Sequence, residues 1–547
     1  MSKQIIAGTG NVVTEIVNKS NANFTELYPI TTYANLRGVI GTSGEIRRVS
    51  GRGATPHNTQ AGSFIWREGA DYQTGGDYAS DNDGTIIKAN GNDTGRWVRV
   101  FDGFVNVGWF GASGTGGNYT TMFQNAIDFC AINALNNPGV NGTTVFIPSG
   151  NYLIDNLTIK DGVSIIGDSS TKPVLTTTAG TGYMIEMAVG RVRTNIENLQ
   201  LVGNNNSKGG MLLEAQLDGA DGGLWYSRFK NINILQFSGG HGLYLKGGGL
   251  GSDYKLPNQF CVFENIIIKR QTDAYNCLRL TGQNAQHVFI DCQFDGTLTS
   301  TTYQANENVY MGYDDKFVPS HIKFITCTTQ QSEIGYKLEA NRNIDFDHCW
   351  FEGLGNSFDI SSALVDGVNT VQPQAITINN AKFANAGGFG GLTATNDKTQ
   401  PVIKVNDAFV SITNCFSNIS GTNASYKWLV ATNIENGGIV QNGNFNDVDL
   451  AETTGITQTI ALSTNTINLY GNKIVLVTAN ATAIKTIASL CDVGNTITVI
   501  ASGGSINFDE TDNIVLGGVT TLTLSADESA TFVRTDNGGV VKYRLIK

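Results

Sequence analysis

Four acids stand out for the chemistry that their spacing would allow. Asp345, Asp347 and Glu352 fall in the string Ile344-Asp345-Phe346-Asp347-His348-Cys349-Trp350-Phe351-Glu352, and Asp295 ends the related string Cys292-Gln293-Phe294-Asp295. On a strand whose Ile344 and Phe346 point inward, Asp345 and Asp347 point outward, with Cα atoms about 6.6 Å apart at ~3.3 Å per residue. Beyond a bend, inward Cys349 and Phe351 leave Trp350 and Glu352 outside. Hydrolysis of a glycosidic bond needs such a pair of carboxylates, one acid and one base or nucleophile. They sit about 5 Å apart in retaining enzymes and roughly 6.5–9.5 Å apart in inverting ones. Trp350 offers a flat apolar face for a sugar ring, and Lys323, Gln330 and Gln293 are its polar neighbours. The same acids would also suit a merely solvated surface, so the elements that position them decide their meaning.

Those elements recur. Eight segments superpose in columns: Ile196, Phe229, Phe263, Phe289, Phe324, Phe346, Ile378 and Ile412 in the first, with Leu199, Ile232, Ile266, Cys292, Cys327, Cys349, Ala381 and Cys415 three residues on. Between them runs a polar column, Asn198, Asn231, Asn265, Asp291, Thr326, His348, Asn380 and Asn414. The steps of the Leu199 column are 33, 34, 26, 35, 22, 32 and 34 residues. Recurrence at 20–50 residues marks a solenoid whose repeats bury their apolar faces only against their neighbours. Built of strands, it is an all-β, right-handed parallel β-helix of single-stranded coils. Within a repeat the period-two alternation breaks phase once. A one-residue slip would turn every following side chain to the other face, so the backbone must bend at the polar column, where Asn and Asp tolerate the left-handed conformation. His348 belongs to that corner and reads as structural. Coils stack at about 4.8 Å. Glu352 and Asp295, two coils apart, are then expected ~9.6 Å from one another, with Gln330 on the rung between and Lys323 beside Asp345. The step of 22 leaves room for three short strands; longer steps loop outward, where solenoids make binding surfaces.

Composition bounds the partners. The chain of 547 residues has 47 acids against 36 Lys and Arg, a net charge of −11, which argues against nucleic acid or an anionic membrane. Charged residues are only 15%, with 65 Gly, a balance that favours all-β structure. Of eight cysteines, Cys292, Cys327, Cys349 and Cys415 occupy an apolar column and read as buried free thiols. No CxxC pair suggests zinc, and Gly111–Gly117 lacks the GK[ST] of a phosphate loop, so no metal or cofactor is expected. Met1-Ser2-Lys3 is not followed by the apolar core of a signal peptide, and no apolar run is long enough to span a membrane. Synthesis in a reducing cytoplasm follows.

Four regions are expected. Residues 1–28 carry a heptad-like stripe of Val13, Val17, Ser20, Phe24 and Leu27, a short helix or oligomeric collar. Residues 29–103 form a Gly- and Asp-rich β module, in which Asp81-Asn82-Asp83-Gly84 reads as a turn rather than a calcium loop. Residues 104–450 form the β-helix, opened by an amphipathic helix near 118–135 that caps the stack, with a first coil at Val145–Ile154. Residues 451–547 form a separate C-terminal β domain of short alternating strands.

The run Val105–Ala112, the helix, Val145–Ile154 and Gly162–Asp168 together resemble the opening of the pectate-lyase-like β-helix domain common in bacteriophage tailspikes. Family members usually carry an acidic Gly-Asp-Gly where Ser113–Gly117 stand here. Asn21–Tyr28 is similar to a segment near the start of many phage fibre and spike proteins. Asp81–Ile87 with Arg96–Gly103 is similar to the particle-proximal neck of capsule-degrading spikes, and Asn495–Lys547 to a small domain that closes some of them. The resemblance implies a homotrimer in the virion, joined to the phage tail or baseplate through its N-terminus. It also implies an endo-acting depolymerase of a bacterial surface polysaccharide, capsule or O-antigen. On that reading Asp345, Asp347, Glu352 and Asp295 supply the acids and Trp350, Lys323, Gln330 and Gln293 hold the glycan; a site between chains or at Asp314-Asp315 is the alternative. A lyase would instead need a Lys, Tyr or His base and a group to neutralise a uronate carboxylate. A receptor-binding spike would leave the polymer uncut. A secreted pectate-lyase relative is disfavoured by the absent secretion signal.

Overall fold

The computed structural model describes residues 29–546 apart from short interruptions, of which those longer than five residues are 54–59, 137–142, 215–222, 249–256, 297–306, 385–401, 419–428, 447–457 and 490–495. The heptad-like stripe, Asn21–Tyr28 and Asp314-Asp315 lie outside the described residues. The chain divides into two compact units, one reaching Thr178 and including Thr194–Gln200, the other made of Ala179–Arg193 and everything from Leu201 on.

The first unit begins with a five-stranded sheet in the order Pro29–Thr32, Ile46–Gly51, Gly62–Glu68, Gly95–Val100, Ile86–Lys88. Its core packs Tyr33, Leu36, Val49, Phe64, Trp66, Ile87 and Trp97, with Trp66 and Trp97 edge to face at 5.2 Å. The basic residues of Arg96–Val100 are structural. Arg99 is buried, its guanidinium lies 4.7 Å from both the Phe64 and Trp109 rings, and it donates to the carbonyls of Ala61 (3.0 Å), Gly84 (3.2 Å) and Gln60 (2.7 Å). The string at 81–84 is a turn. The Asn82 side-chain oxygen accepts from the amides of Gly84, Thr85 and Ile86, and Arg37 pairs with Asp81 and Asp83.

Parallel winding starts one coil earlier than the sequence suggests. Val105 pairs with Val145, and Thr115 with Asn151, so the coil at Val145–Ile154 is preceded by another. Two-residue Val105–Asn106 is too short to display a period, and a 3-10 turn over Val107–Phe110 replaces the alternation that would announce a strand. The helix Thr120–Asn136 buries Phe123, Ala126, Ile127, Phe129 and Cys130, and Phe123 meets Tyr152 edge to face at 5.2 Å. Val145, Ile165 and Ile196 then follow one another in register.

In the second unit Phe229, Phe263, Phe289, Phe324, Phe346, Ile378 and Ile412 are successive register partners. The five phenyl rings stack at 4.9, 4.6, 4.9 and 4.9 Å with planes within 11°. The columns read from the sequence are therefore physical stacks inside a parallel β-helix, and the seven described cysteines are buried free thiols. Every residue of the polar column here, from Asn231 to Asn414, has φ between +51° and +56°. Thr326 and His348 share it although a branched or bulky side chain pays steric strain there. A second left-handed series precedes it by five residues: Arg193, Tyr226, Phe260, Gln286, His321, Asn343 and Ala375, at φ +52° to +60°. Its mixed residue types hide it from the sequence; the coil imposes the conformation.

Each coil thus presents a wall A before the polar corner, a wall B after it, and a wall C on strands such as Leu243–Lys246, Leu278–Thr281 and Glu307–Gly312. Toward the C-terminus, Gln458–Ile460, Ile474–Thr478 and Thr496–Ser502 still pair in parallel, before Ser529–Asn537 and Val540–Ile546 add antiparallel strands. The short alternating strands expected from 455 onward so include parallel pairing that their sequence does not display.

Candidate functional site

The corner at His348 divides the four acids. Asp345 and Asp347 project from wall A on Arg342–Asp347, between buried Ile344 and Phe346. Glu352 and Asp295 project from wall B, on Trp350–Ser361 and Gln293–Asp295. The four acids so form two pairs on either side of the bend expected at the polar column.

On wall A, Lys323 is the register partner of Asp345. Asp347 is engaged by corner residues: its Oδ1 accepts from the Asn380 amide at 3.1 Å and lies 2.9 Å from His348 Nδ1. Thr326 and Asp291 make the same kind of link one corner earlier, through the Thr326 hydroxyl. Asp347 and His348 are therefore part of the ladder that holds the bend.

On wall B the register is the one the columns require. Asp295, Gln330 and Glu352 are successive partners, as are Gln293, Thr328, Trp350 and Lys382. Asp295 and Glu352 stand two rungs apart, so their Cα atoms are about 9.6 Å apart. Burial pushes the Asp295 carboxyl up to about 6, against the opposing pull of a hydrogen bond from Gln293 and the positive charge of Lys269. The Gln293 amide donates to Oδ2 at 2.6 Å, and Oδ1 is buried with no hydrogen-bond partner among the described residues. A desolvated carboxyl with one unsatisfied oxygen gives up its proton at a higher pH than an exposed one. Trp350 is 39% exposed, but Lys382 Nζ sits 4.3 Å over its ring. One of the two faces that a sugar would use is thus covered by a cation from the next coil.

Wall C carries a cluster beyond the reach of the aligned columns, which end at wall B. Tyr244, Arg279, Tyr310, Lys337, Asp359 and Lys404 form one outward column in unbroken register. The signal lies in the sequence as an apolar-x-apolar string on every coil: Leu243-Tyr-Leu245, Leu278-Arg-Leu280, Val309-Tyr-Met311, Tyr336-Lys-Leu338, Phe358-Asp-Ile360 and Ile403-Lys-Val405. The Arg279 guanidinium lies 4.2 Å from the Tyr310 ring and 5.9 Å from Tyr244. Tyr310 donates to Glu339 at 2.7 Å, and burial together with that bond keeps its phenol protonated far above the usual range. His241 packs edge-on against Tyr244 and Tyr275. Burial, helped by Arg279, lowers its pKa to about 3, and its Nδ1 accepts from the Asn276 amide at 3.0 Å. His287 is likewise neutral, its pKa lowered to about 3 by complete burial. Among the described residues no group of three or more His, Cys, Asp or Glu is arranged to hold a metal ion, and no helix is long and apolar enough to cross a membrane.

Residues 104–311 match the family model described as rhamnogalacturonase A/epimerase, pectate lyase-like. Among solved structures, the chain is similar to the enzymatically active domain of tailspike protein 2 of bacteriophage CBA120, at TM-score 0.51 and 12% identity, over 95% of this chain and 72% of that one. It is also similar to the gp42 tailspike of Acinetobacter phage vb_AbaP_AS12, at TM-score 0.49 and 12% identity over 95% and 93% of the two chains. A third is tailspike gp49 of Acinetobacter baumannii bacteriophage Fri1, a capsular polysaccharide depolymerase, at TM-score 0.47 and 13% identity over 95% of each. No curated protein matches in sequence. The class that the described strands define is the parallel β-helix, with the pectate-lyase-like match confined to residues 104–311. Within that class the chain shares its fold with a phage tailspike.

Proposed function

We propose that this chain is a phage tailspike, a homotrimer attached to the tail through its N-terminal region, that binds a bacterial surface polysaccharide and cleaves it by endo-acting hydrolysis. The observation that carries the reading is the Asp295–Gln330–Glu352 column. A general acid must hold a proton near the working pH, and the burial of Asp295 supports that role; with a pKa of about 6, roughly a tenth of it is protonated at pH 7. Glu352, two rungs away, acts as the base that draws a proton from water. Two rungs, about 9.6 Å between Cα atoms, leave room between the side chains for the water of an inverting displacement, which enters between base and anomeric carbon. Gln330 on the intervening rung orients the glycan, and Gln293 fixes the Asp295 carboxyl. Lys323, Asp345 and Asp347 on wall A bind the chain beyond the cleavage point, and the free face of Trp350 packs on a sugar.

Elimination is disfavoured because a lyase needs an available base. On wall C the half-buried Tyr310 holds its proton, and His241 already uses its Nδ1 lone pair. A panel of purified capsules and O-antigens, read by chain length, tests the reading. One polymer should shorten with the native protein and stay intact with Asp295→Asn or Glu352→Gln. Binding without shortening would make the protein a receptor-binding spike, and products that absorb in the ultraviolet would make it a lyase.

A further inference from the structure

Three lysines of wall C are paired with acids among the described residues. Lys246 meets Glu214 at 2.5 Å, Lys337 meets Glu339 at 3.1 Å and Lys404 meets Asp359 at 3.5 Å. Arg279, in the middle of the same wall, makes no ion pair among the described residues. Glu307, on the neighbouring strand, forms none with it. Its Nη1 donates to the Asn276 side-chain oxygen at 3.2 Å, and Asn276 is itself fixed by donating to the Glu307 carbonyl at 2.9 Å. Tyr244 and Tyr310 flank it on the rungs to either side. A guanidinium with rings beside it and one nitrogen tethered is held in a single orientation, and its remaining N–H groups form the planar fork that carboxylates accept in pairs.

We infer that wall C is a second glycan site, separate from the acids of wall B, which captures a carboxylate-bearing sugar through Arg279 between Tyr244 and Tyr310. The tyrosines supply apolar ring surface for the sugar's C–H face. Glu339, neutralised by Lys337 and holding the Tyr310 hydroxyl, keeps that ring in place without repelling the anion. Because Tyr310 holds its proton and His241 uses its Nδ1 lone pair, the site binds and does not cleave. This inference takes from the proposed function only that the ligand is a sugar. The substrate class that follows is an acidic polysaccharide.

Sodium glucuronate, with glucose as its neutral counterpart, tests the site on the full chain by calorimetry and by the tyrosine signals in NMR. Glucuronate should bind at least tenfold more tightly than glucose and perturb tyrosine resonances. Arg279→Ala should lose that preference. Arg279→Lys, which keeps the charge and removes the fork, should weaken binding several-fold while leaving the melting temperature unchanged, and so guards against a mere loss of folding. Asp295→Asn should bind as the native protein does. Equal binding of glucose and glucuronate, or unchanged affinity in Arg279→Ala, overturns the inference, as would loss of binding in Asp295→Asn. Polymer cleavage is read separately, so either reading can fail while the other stands.

Discussion

Walls B and C are built from the same coils, share one core, and treat charge in opposite ways. Wall C pairs Glu214, Glu339 and Asp359 with lysines and leaves an arginine without an acid among the described residues. Wall B leaves Asp295 desolvated, with one oxygen unsatisfied among the described residues, and places Glu352 in the same column with a glutamine between. A paired carboxylate stays ionised and holds its neighbours; burial lets the other keep a protonated fraction up to a higher pH. The difference teaches which acids to follow. Number and proximity in sequence favour Asp345 and Asp347, whereas environment favours Asp295.

The largest effect should separate the walls by activity. Asp295→Asn or Glu352→Gln should lower the rate of polymer cleavage by about 10²–10⁴-fold, the usual range for losing a general acid or base, while Asp359→Asn on wall C should change it by no more than about twofold. Equal losses from both walls would break the comparison.

A core substitution should remove the distinction by damaging both walls at once. Phe324 stacks on Phe289 and Phe346 and meets Tyr336 edge to face at 5.3 Å. Phe324→Ala should therefore cost about 3–5 kcal/mol, visible as a lower melting temperature and faster proteolysis.

The pH dependence of stability sharpens the contrast further. The folded-state pKa of Asp295 is raised from 3.8 to about 6. Its ionisation therefore opposes folding: the contribution of Asp295 to stability is fully present below about pH 4, is lost as pH rises through about 4 to 6, and stays absent above. A shift of about two units corresponds to roughly 3 kcal/mol at most. Denaturant titrations of native protein and Asp295→Asn should differ by that slope across the window. Asp359→Asn should leave the slope intact.

The smallest effect concerns the corners that set the walls apart. Ala375 is exposed at φ +55°, where an L-residue costs about 1–2 kcal/mol. Ala375→Gly should be stabilising by up to about 1 kcal/mol once the greater freedom of the unfolded chain is subtracted.

Much of this architecture is legible in the amino-acid sequence, for physical reasons that particular residues make plain. The phenylalanines at 289, 324 and 346 announce a stack because a solenoid must repeat its interior, and Asn231, Asn265 and Asn414 announce a corner because few side chains tolerate its backbone. Tyr226, Phe260 and Ala375 announce nothing, since their left-handed geometry is imposed by the coil and not favoured by the residue. Glu352, Gln330 and Asp295 can be aligned from the interior columns, but the desolvation of Asp295 depends on what packs around it. The Lys382 that covers Trp350 stands 32 residues away, adjacent only once the register is known. Wall C stays hidden because its strands join wall B through loops of unequal length, which break the alignment although the apolar-x-apolar strings persist.

The claim on which the rest depends is that Asp295 and Glu352, two rungs apart, act on opposite sides of one glycosidic bond. Proton NMR of the first products released from a susceptible polysaccharide measures this directly, through the configuration of the new reducing end. Inversion of the anomeric configuration is the predicted result. Retention, which uses carboxyl groups about 5 Å apart, would contradict the account, as would an unsaturated sugar at the opposite end.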